Sequence, residues 1–129
     1  MTDPLTRAGL LLVGLVYASV AVPGFLDPAG LLAEVGLEVH GPSAHNELRA
    51  NYGGLMAALS ITSFVGAFSA AHRRPVLWLS WICFVGLVSG RVLSLILDGT
   101  PNSFALGLLG AEAFGLTTSS ALLWAGRER

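Results

Sequence analysis

Residues 75–97 read PVLWLSWICFVGLVSGRVLSLIL, an apolar run interrupted by a single charged side chain, Arg91. A helix needs about 20 such residues to cross the hydrocarbon core of a bilayer, which is roughly 30 Å thick. The run therefore predicts a membrane-spanning helix. A charge in the middle of such a helix is costly, so Arg91 is also the first candidate for a functional residue.

Three further apolar runs cover residues 5–23, 45–70 and 101–125. With 75–97 they predict an all-α fold, a membrane four-helix bundle that forms one domain over residues 1–129. The first run could also be a secretory signal, because Ser19, Val20 and Ala21 offer small residues for cleavage. The three spans that follow favour a retained helix instead.

The composition supports a membrane protein and excludes several other classes. Charged residues make up 12% of the chain, whereas a soluble domain carries about 25%. The net charge of −1 and the absence of a basic run argue against a nucleic-acid partner. The single cysteine, Cys83, excludes an internal disulfide and a CxxC redox centre. All basic residues are arginine, which suggests a GC-rich bacterial genome and hence the bacterial inner membrane.

The distribution of arginine predicts the orientation. In a four-span arrangement most arginines fall on one side, and acidic residues dominate the other side. The positive-inside rule places the arginine-rich side, with both termini, in the cytoplasm. The three tryptophans cluster at the same interface, as an aromatic belt does. The arginines concerned are Arg7, Arg73, Arg74, Arg127 and Arg129.

The first outward connection contains its own helix signals. Asp27 before Pro28 is typical of an N-cap followed by proline, and Gly36 is typical of a helix stop. We expect a short helix over residues 28–36 that lies in the membrane interface as a lid, or else a simple connector.

Proline and glycine also predict the ends of the later spans. Pro75 and Pro101 are expected at first helical positions, where the missing N–H costs nothing. Gly99 is expected to end the third span.

Two charged residues are predicted to meet inside the membrane. Arg91 lies roughly 24 Å along its helix from the cytoplasmic surface, and Glu112 lies roughly 22 Å from the same surface. Because either charge alone would be far costlier, we expect an Arg91–Glu112 ion pair. Arg49 and Asp98 share a second layer nearer the outside, either as part of a site or as a simple pair at the level of the headgroups.

Helical spacing at 100° per residue predicts two facing polar stripes. We expect them to line a cavity between the second, third and fourth spans, open outward, with Arg91 at its floor and the 28–36 helix as its cap. The stripe on the second span comprises Arg49, Tyr52, Met56, Ser60 and Ser63, and that on the third comprises Cys83, Leu87, Arg91, Ser94 and Asp98.

Small residues recur at spacings that let helices approach closely in lipid. They favour packing within the chain, with a dimer interface as the alternative. These residues are Gly53, Gly54, Gly86, Gly90, Gly107, Ala111, Gly115 and Ser119.

Other polar residues carry weaker signals. His40, His45 and Glu47 only loosely resemble metal ligands, and a solvated loop is the better interpretation, so no metal site is expected. Tyr17 fits an ordinary interface or core tyrosine.

Two sequence blocks resemble a known family. Residues 47–54, ELRANYGG, fit E-x-R-x-x-Y-G-G, and GRVLS at 90–94 with DGTP at 98–101 fits G-R-x-x-S…D-G-x-P, followed by a span that contains Glu112. Together they resemble the small bacterial four-helix membrane proteins grouped as the domain of unknown function numbered 4345. The resemblance covers nearly the whole chain and implies the fold and the site residues, but no activity. A looser similarity to DoxX-type proteins rests on architecture alone.

Three functions are consistent with these patterns. The favoured one is an accessory or structural membrane subunit with an outward-facing polar cluster, which acts in a homo-oligomer or with a partner subunit. The second is a binding or acid/base catalytic pocket for a lipid-like or isoprenoid molecule, and the third is a small transporter or proton relay. Beyond the bilayer and such a ligand, the sequence identifies no cofactor and does not decide whether the protein is an enzyme.

The candidate residues fall into two overlapping groups. Candidates for catalysis are Glu112, Arg91, Tyr52 and Glu47. Candidates for ligand binding are Arg49, Asn51, Tyr52, Arg91, Ser94, Asp98 and Glu112.

Overall fold

The computed structural model describes residues 4–125, and these residues form helices and turns without a strand. The helices are α1 (Pro4–Leu26), α2 (Pro28–Ala33), α3 (Gly41–Leu48), α4 (Met56–Phe68), α5 (Ala70–Leu97) and α6 (Ser103–Ala125). A π-helical segment, Arg49–Leu55, joins α3 to α4. Arg127 and Arg129, which contribute to the predicted orientation, lie outside the described residues.

Three of these helices, α1, α5 and α6, are long and apolar enough to cross a membrane. The predicted second span does not form one regular helix, because the π-helical segment divides it into α3, the segment itself and α4. Residues 41–68 are nevertheless helical throughout.

The short helix in the first connection is present, and the predicted residues begin and end it. The Asp27 carboxylate accepts a hydrogen bond from the Gly30 N–H at 3.0 Å, and Pro28 is at the first position. At the other end Gly36 has φ +80°, and the N–H groups of Gly36 and Leu37 bond back to the carbonyls of Ala33 and Leu32. This is the Schellman arrangement, in which glycine takes the left-handed position.

The expected proline starts differ from the observed ones. The helix α5 begins at Ala70, five residues before Pro75, where extended Ser69 separates it from α4. The helix α6 begins at Ser103 with Asn102 as its cap, since the Asn102 side-chain oxygen accepts from the Ala105 N–H at 2.9 Å. Gly99, with φ +92°, follows the end of α5 as expected.

At one end of the molecule buried residues of α1, α4, α5 and α6 meet in one core, and we call this end the packed half. There α1 lies along α4, α4 along α5, and α5 along α6. Two clusters of buried apolar residues fill this half, one of Leu10, Ala67, Val76, Leu77, Leu122 and Leu123, the other of Val13, Tyr17 and Phe84.

The far part of the α5–α6 hairpin contrasts with this core. No residue from 85 to 114 is buried, and we call this stretch the open half. Because nearly all its side chains are apolar, the hairpin projects an apolar surface that has no cover within the described residues.

Candidate functional site

The central feature of the open half is an ion pair between Arg91 on α5 and Glu112 on α6. The guanidinium Nη2 donates to the carboxylate Oε1 at 2.8 Å, and Nε donates to Oε2. The Arg91 side chain is 30% exposed and the Glu112 side chain 13% exposed. This two-bond geometry is the strong form of an arginine–carboxylate contact, and it confirms the predicted pairing.

The pair forms because α5 and α6 are antiparallel neighbours joined by a short turn. Arg91 precedes the end of α5 by roughly 9 Å, and Glu112 follows the start of α6 by roughly 14 Å. The two side chains therefore reach each other across the hairpin.

The surroundings of the pair are open. A Cβ built on Gly86, Gly90, Gly107 or Gly110 would meet no atom within 4 Å. In the packed half, by contrast, a Cβ on Gly115 would lie 2.5 Å from the Phe84 ring. Polar groups at the pair are therefore not enclosed by neighbouring helices.

The opposite wall is built by α2, α3 and the π-helical segment. These elements pack against one another and against α1, but make at most slight contact with the α5–α6 hairpin. Tyr52, in the π-helical segment, interacts electrostatically with Arg91 across the gap. We call the region between these elements and the hairpin, where the two make few contacts, the cleft.

One hydrogen bond joins the two sides of the cleft at the tip of the hairpin. The Asn102 side-chain amide donates to the Glu34 backbone oxygen at 2.8 Å. Asn102 lies at the tip of the hairpin and Glu34 directly follows α2, so the bond links α2 to the hairpin.

Tyr17 lies on the inner side of the pair. Its side chain is 3% exposed, and its ring stacks on Phe84 with centroids 5.8 Å apart. The hydroxyl interacts electrostatically with Glu112 and Cys83, yet it has no hydrogen-bond partner within residues 4–125.

Arg49 and Asp98 do not pair. The Arg49 Nε donates to the Phe25 backbone oxygen at 3.1 Å, and Asp98 accepts from the Ser94 hydroxyl at 2.9 Å. The reason is that the π-helical segment packs on α1 and stays apart from α5. Arg49 thus caps the C-terminal carbonyls of α1.

Two further candidates, Glu47 and Asn51, contact each other. The Asn51 side-chain amide donates to the Glu47 backbone oxygen at 2.9 Å and lies 3.5 Å from its carboxylate. Both belong to the outer wall and do not touch the Arg91–Glu112 pair.

The predicted polar stripe of the second span is wrong in its inner part. The Ser60 hydroxyl donates to the Gly14 backbone oxygen of α1 at 2.8 Å, and Ser63 bonds to Leu59 within α4. Both serines are buried in the packed half. They hold α4 against α1 and do not line the cleft.

The predicted small-residue positions divide into two groups. Gly53 and Gly115 are packed so closely that an added Cβ would approach an aromatic ring within 3 Å. Gly86, Gly90 and Gly107 face no other part of the described chain.

The histidines form local contacts only. His40 pairs with the exposed Glu38 at 3.3 Å, and His45 bonds to the Gly41 backbone oxygen at 2.9 Å. Across the described part of the chain, no three metal-ligating side chains gather in one place.

A cavity of about 170 Å³ lies between α1 and α6, outside the predicted position. Its walls are apolar apart from Thr118, and it ends on the Phe84 ring. It is lined by Gly9, Leu12, Val13, Val16, Phe84, Ala111, Phe114, Gly115 and Thr118.

Sequence reasoning missed two residues of the site. Asn102 follows Pro101. Because the proline was expected to begin the helix, Asn102 was not considered as its cap. Tyr17 lies in an apolar span, where its spacing from Leu10 and Val13 indicates only a buried face. No sequence signal shows that its hydroxyl lacks a partner.

One family matches almost the whole chain. The family described as a domain of unknown function, DUF4345, matches residues 5–124. The chain belongs to this family. The match confirms the resemblance inferred from the two sequence blocks around Glu47 and Arg91. No curated protein and no solved structure matches the chain.

Proposed function

We propose that this DUF4345 protein is a bacterial inner-membrane protein that binds an amphipathic, lipid-like molecule in the cleft, with the polar head of that molecule at Arg91 and Glu112. In this proposal α1, the α3–α4 run, α5 and α6 are four spans, and both termini are cytoplasmic. The arginines Arg7, Arg73 and Arg74 all lie at the packed half, which supports that orientation.

The observation that carries the proposal is the position of the ion pair. A charge pair that only locks helices together is expected inside a packed core. Here the pair borders the open half, where residues 85–114 are all at least partly exposed. It is a polar centre with accessible space around it.

The hydrogen bonds already made by the pair indicate which chemical groups the head of the ligand supplies. Both Glu112 oxygens are engaged by Arg91, whereas three of the five guanidinium N–H donors have no partner in the described chain. Donors therefore outnumber free acceptors, so the site favours a head group that supplies acceptor oxygens.

The apolar walls indicate the rest of the ligand. Leu87, Leu95 and Leu108 flank the pair along α5 and α6, and the lid helix α2 lies at the outer end. A hydrocarbon body fits these surfaces, and the Asn102–Glu34 bond is the contact that opens when the molecule enters from outside.

Native mass spectrometry of protein purified gently in mild detergent tests this proposal. The variant pair is Arg91→Met with Glu112→Leu, which removes both charges together and so leaves neither unpaired. We expect the parent protein to carry a small bound amphiphile, and the double variant to lose it while remaining folded. The control Arg74→Gln removes an exposed charge of the packed half and should retain the molecule.

Retention of the same bound mass by the double variant would contradict the proposal. So would a parent protein that carries no molecule under conditions that preserve bound lipid.

A second candidate function is that of an accessory subunit. The observation in its favour is the uncovered glycine face of α5, since Gly86 and Gly90 lie one turn apart with no neighbour. Small residues at this spacing let a partner helix approach closely. A bound polypeptide in the same mass spectra would favour this function over the first.

A further inference from the structure

The Tyr17 hydroxyl is a polar group without a partner in a tightly packed place. The ring is held by Val13 and Phe84, and the oxygen has almost no accessible surface. Buried hydroxyls are nearly always hydrogen-bonded, because a buried hydroxyl without a hydrogen bond has lost its hydration and gained no bond in return. The exception therefore asks for a role.

Glu112 is the carboxylate on this side of α6, since the preceding residue, Ala111, lines the same cavity as Val13 and Phe84, which pack on the Tyr17 ring. Its carboxylate interacts electrostatically with the Tyr17 hydroxyl, although both of its oxygens bond to Arg91 in the present arrangement. No ligand atom needs to reach the enclosed Tyr17 oxygen if Glu112 itself moves to it.

We propose that Tyr17 is the alternative partner of Glu112, used when a long-chain carboxylic acid takes the place of Glu112 on Arg91. This inference rests on the proposed function, since it names the class of ligand that the cleft binds. The arginine fork binds any carboxylate with the same two parallel hydrogen bonds, so the incoming head group reproduces the contact that it displaces.

The exchange balances in charge and protons. The acid enters the cleft in its neutral form and gives its proton to Glu112. The resulting ligand carboxylate pairs with Arg91, and the neutral Glu112 carboxyl forms a hydrogen bond with the Tyr17 hydroxyl. One carboxylate replaces another on one arginine, so no unpaired charge is created.

The groups around Glu112 make it the only acceptor for this proton. Arg91 bonds to Glu112, Tyr17 of α1 and Cys83 of α5 lie within electrostatic range of each other, and Tyr52 lies within electrostatic range of Arg91. None of these four groups is a carboxylate, so Glu112 is the group here that takes up the proton of a carboxylic acid. A phosphodiester head, which has no proton to give, would place two anions beside one arginine and is therefore disfavoured.

The experiment measures binding of a fluorescent long-chain fatty acid and of its methyl ester to the purified full-length protein. The parent protein is expected to bind the acid and to bind the ester far more weakly, because the ester cannot replace a carboxylate. Tyr17→Phe keeps the stacked ring and is expected to weaken binding of the acid about fivefold, which corresponds to one hydrogen bond.

A matched hydroxyl deletion separates this role from packing. Ser60→Ala removes a satisfied bond to Gly14, so it should lower the melting temperature and leave acid binding unchanged. Tyr17→Phe should weaken acid binding and leave the melting temperature of the ligand-free protein unlowered, since that protein loses no hydrogen bond. Infrared spectroscopy should show a protonated carboxyl band on acid binding, shifted in Tyr17→Phe and absent in Glu112→Gln.

Glu112→Gln gives the sharpest result. It leaves Arg91 without a competing carboxylate, so the variant is expected to bind the already ionised acid, with no proton transfer, and to bind it more tightly than the parent protein does.

Unchanged acid binding in Tyr17→Phe, equal binding of acid and ester, or loss of the acid in Glu112→Gln would each overturn the inference. The parent protein could fail to bind the fatty acid while the Arg91/Glu112 double variant still loses its native bound molecule. In that case the exchange is wrong and the proposed function stands.

Discussion

The packed half and the open half of this protein both contain parts of α5 and α6. They differ in whether the glycines and polar side chains contact a neighbouring helix. In the packed half, hydroxyls such as Ser60 bond across helices, and aromatic rings rest on glycine, as Phe84 does on Gly115. In the open half, Gly90 touches nothing and the charged pair faces the cleft.

The largest expected effect concerns the ion pair. Arg91→Ala leaves Glu112 mostly buried without its partner, and breaking such a pair costs about 3–5 kcal/mol. Thermal unfolding in detergent should show a large drop in melting temperature. The Arg91→Met and Glu112→Leu double variant is expected to recover most of the loss.

If the single variant is as stable as the parent protein, the pair is solvated rather than buried. The open half would then contain no buried ion pair to contrast with the packed half.

A pair of glycine substitutions tests the contrast in packing directly. A Cβ on Gly115 would lie 2.5 Å from the Phe84 ring, so Gly115→Ala should destabilise the protein by about 1–3 kcal/mol. Gly90→Ala should be neutral or stabilise the protein by up to about 1 kcal/mol, since alanine is the better helix former. Chemical unfolding of the two variants measures both effects.

Equal losses in the two glycine variants would show that α5 is packed against a neighbour at Gly90. In that case a second copy or a partner helix covers the open half.

The smallest expected effect concerns the link between lid and hairpin. Asn102→Asp keeps the side-chain oxygen that caps α6 but removes the amide that donates to Glu34. The loss should be about 1 kcal/mol and should appear as faster amide hydrogen exchange in residues 32–37. Asn102→Ala loses the cap as well and should cost about 1 kcal/mol more.

Unchanged exchange in Asn102→Asp would mean that the lid is held by its contacts with α1 alone.

The features set by local chemistry could be predicted from the sequence. Asp27, Pro28 and Gly36 define α2 because capping and left-handed backbone are properties of a few neighbouring residues. The Arg91–Glu112 pair was predictable because an unpaired charge in a long apolar helix is so costly that a partner is expected at the same position along the neighbouring helix.

The features set by the π-helical segment could not be predicted. A wheel at 100° per residue places Arg49, Tyr52 and Ser60 on one face, but the wider turns of Arg49–Leu55 shift the register between them. Tyr52 consequently faces the cleft while Ser60 faces α1. Nothing in the sequence RANYGGL distinguishes this segment from a regular helix.

Binding of an amphiphile from outside requires that the cleft opens to the outside of the cell. The direct measurement is labelling by a membrane-impermeant thiol reagent in intact cells, with Cys83 replaced by alanine. Cysteine in place of Ser94 reports the cleft, Thr100→Cys reports the outer turn, and His72→Cys reports the cytoplasmic turn. We predict labelling at positions 94 and 100 and none at 72. Labelling at 72 alone, or at 100 without 94, would contradict an outward-opening cleft.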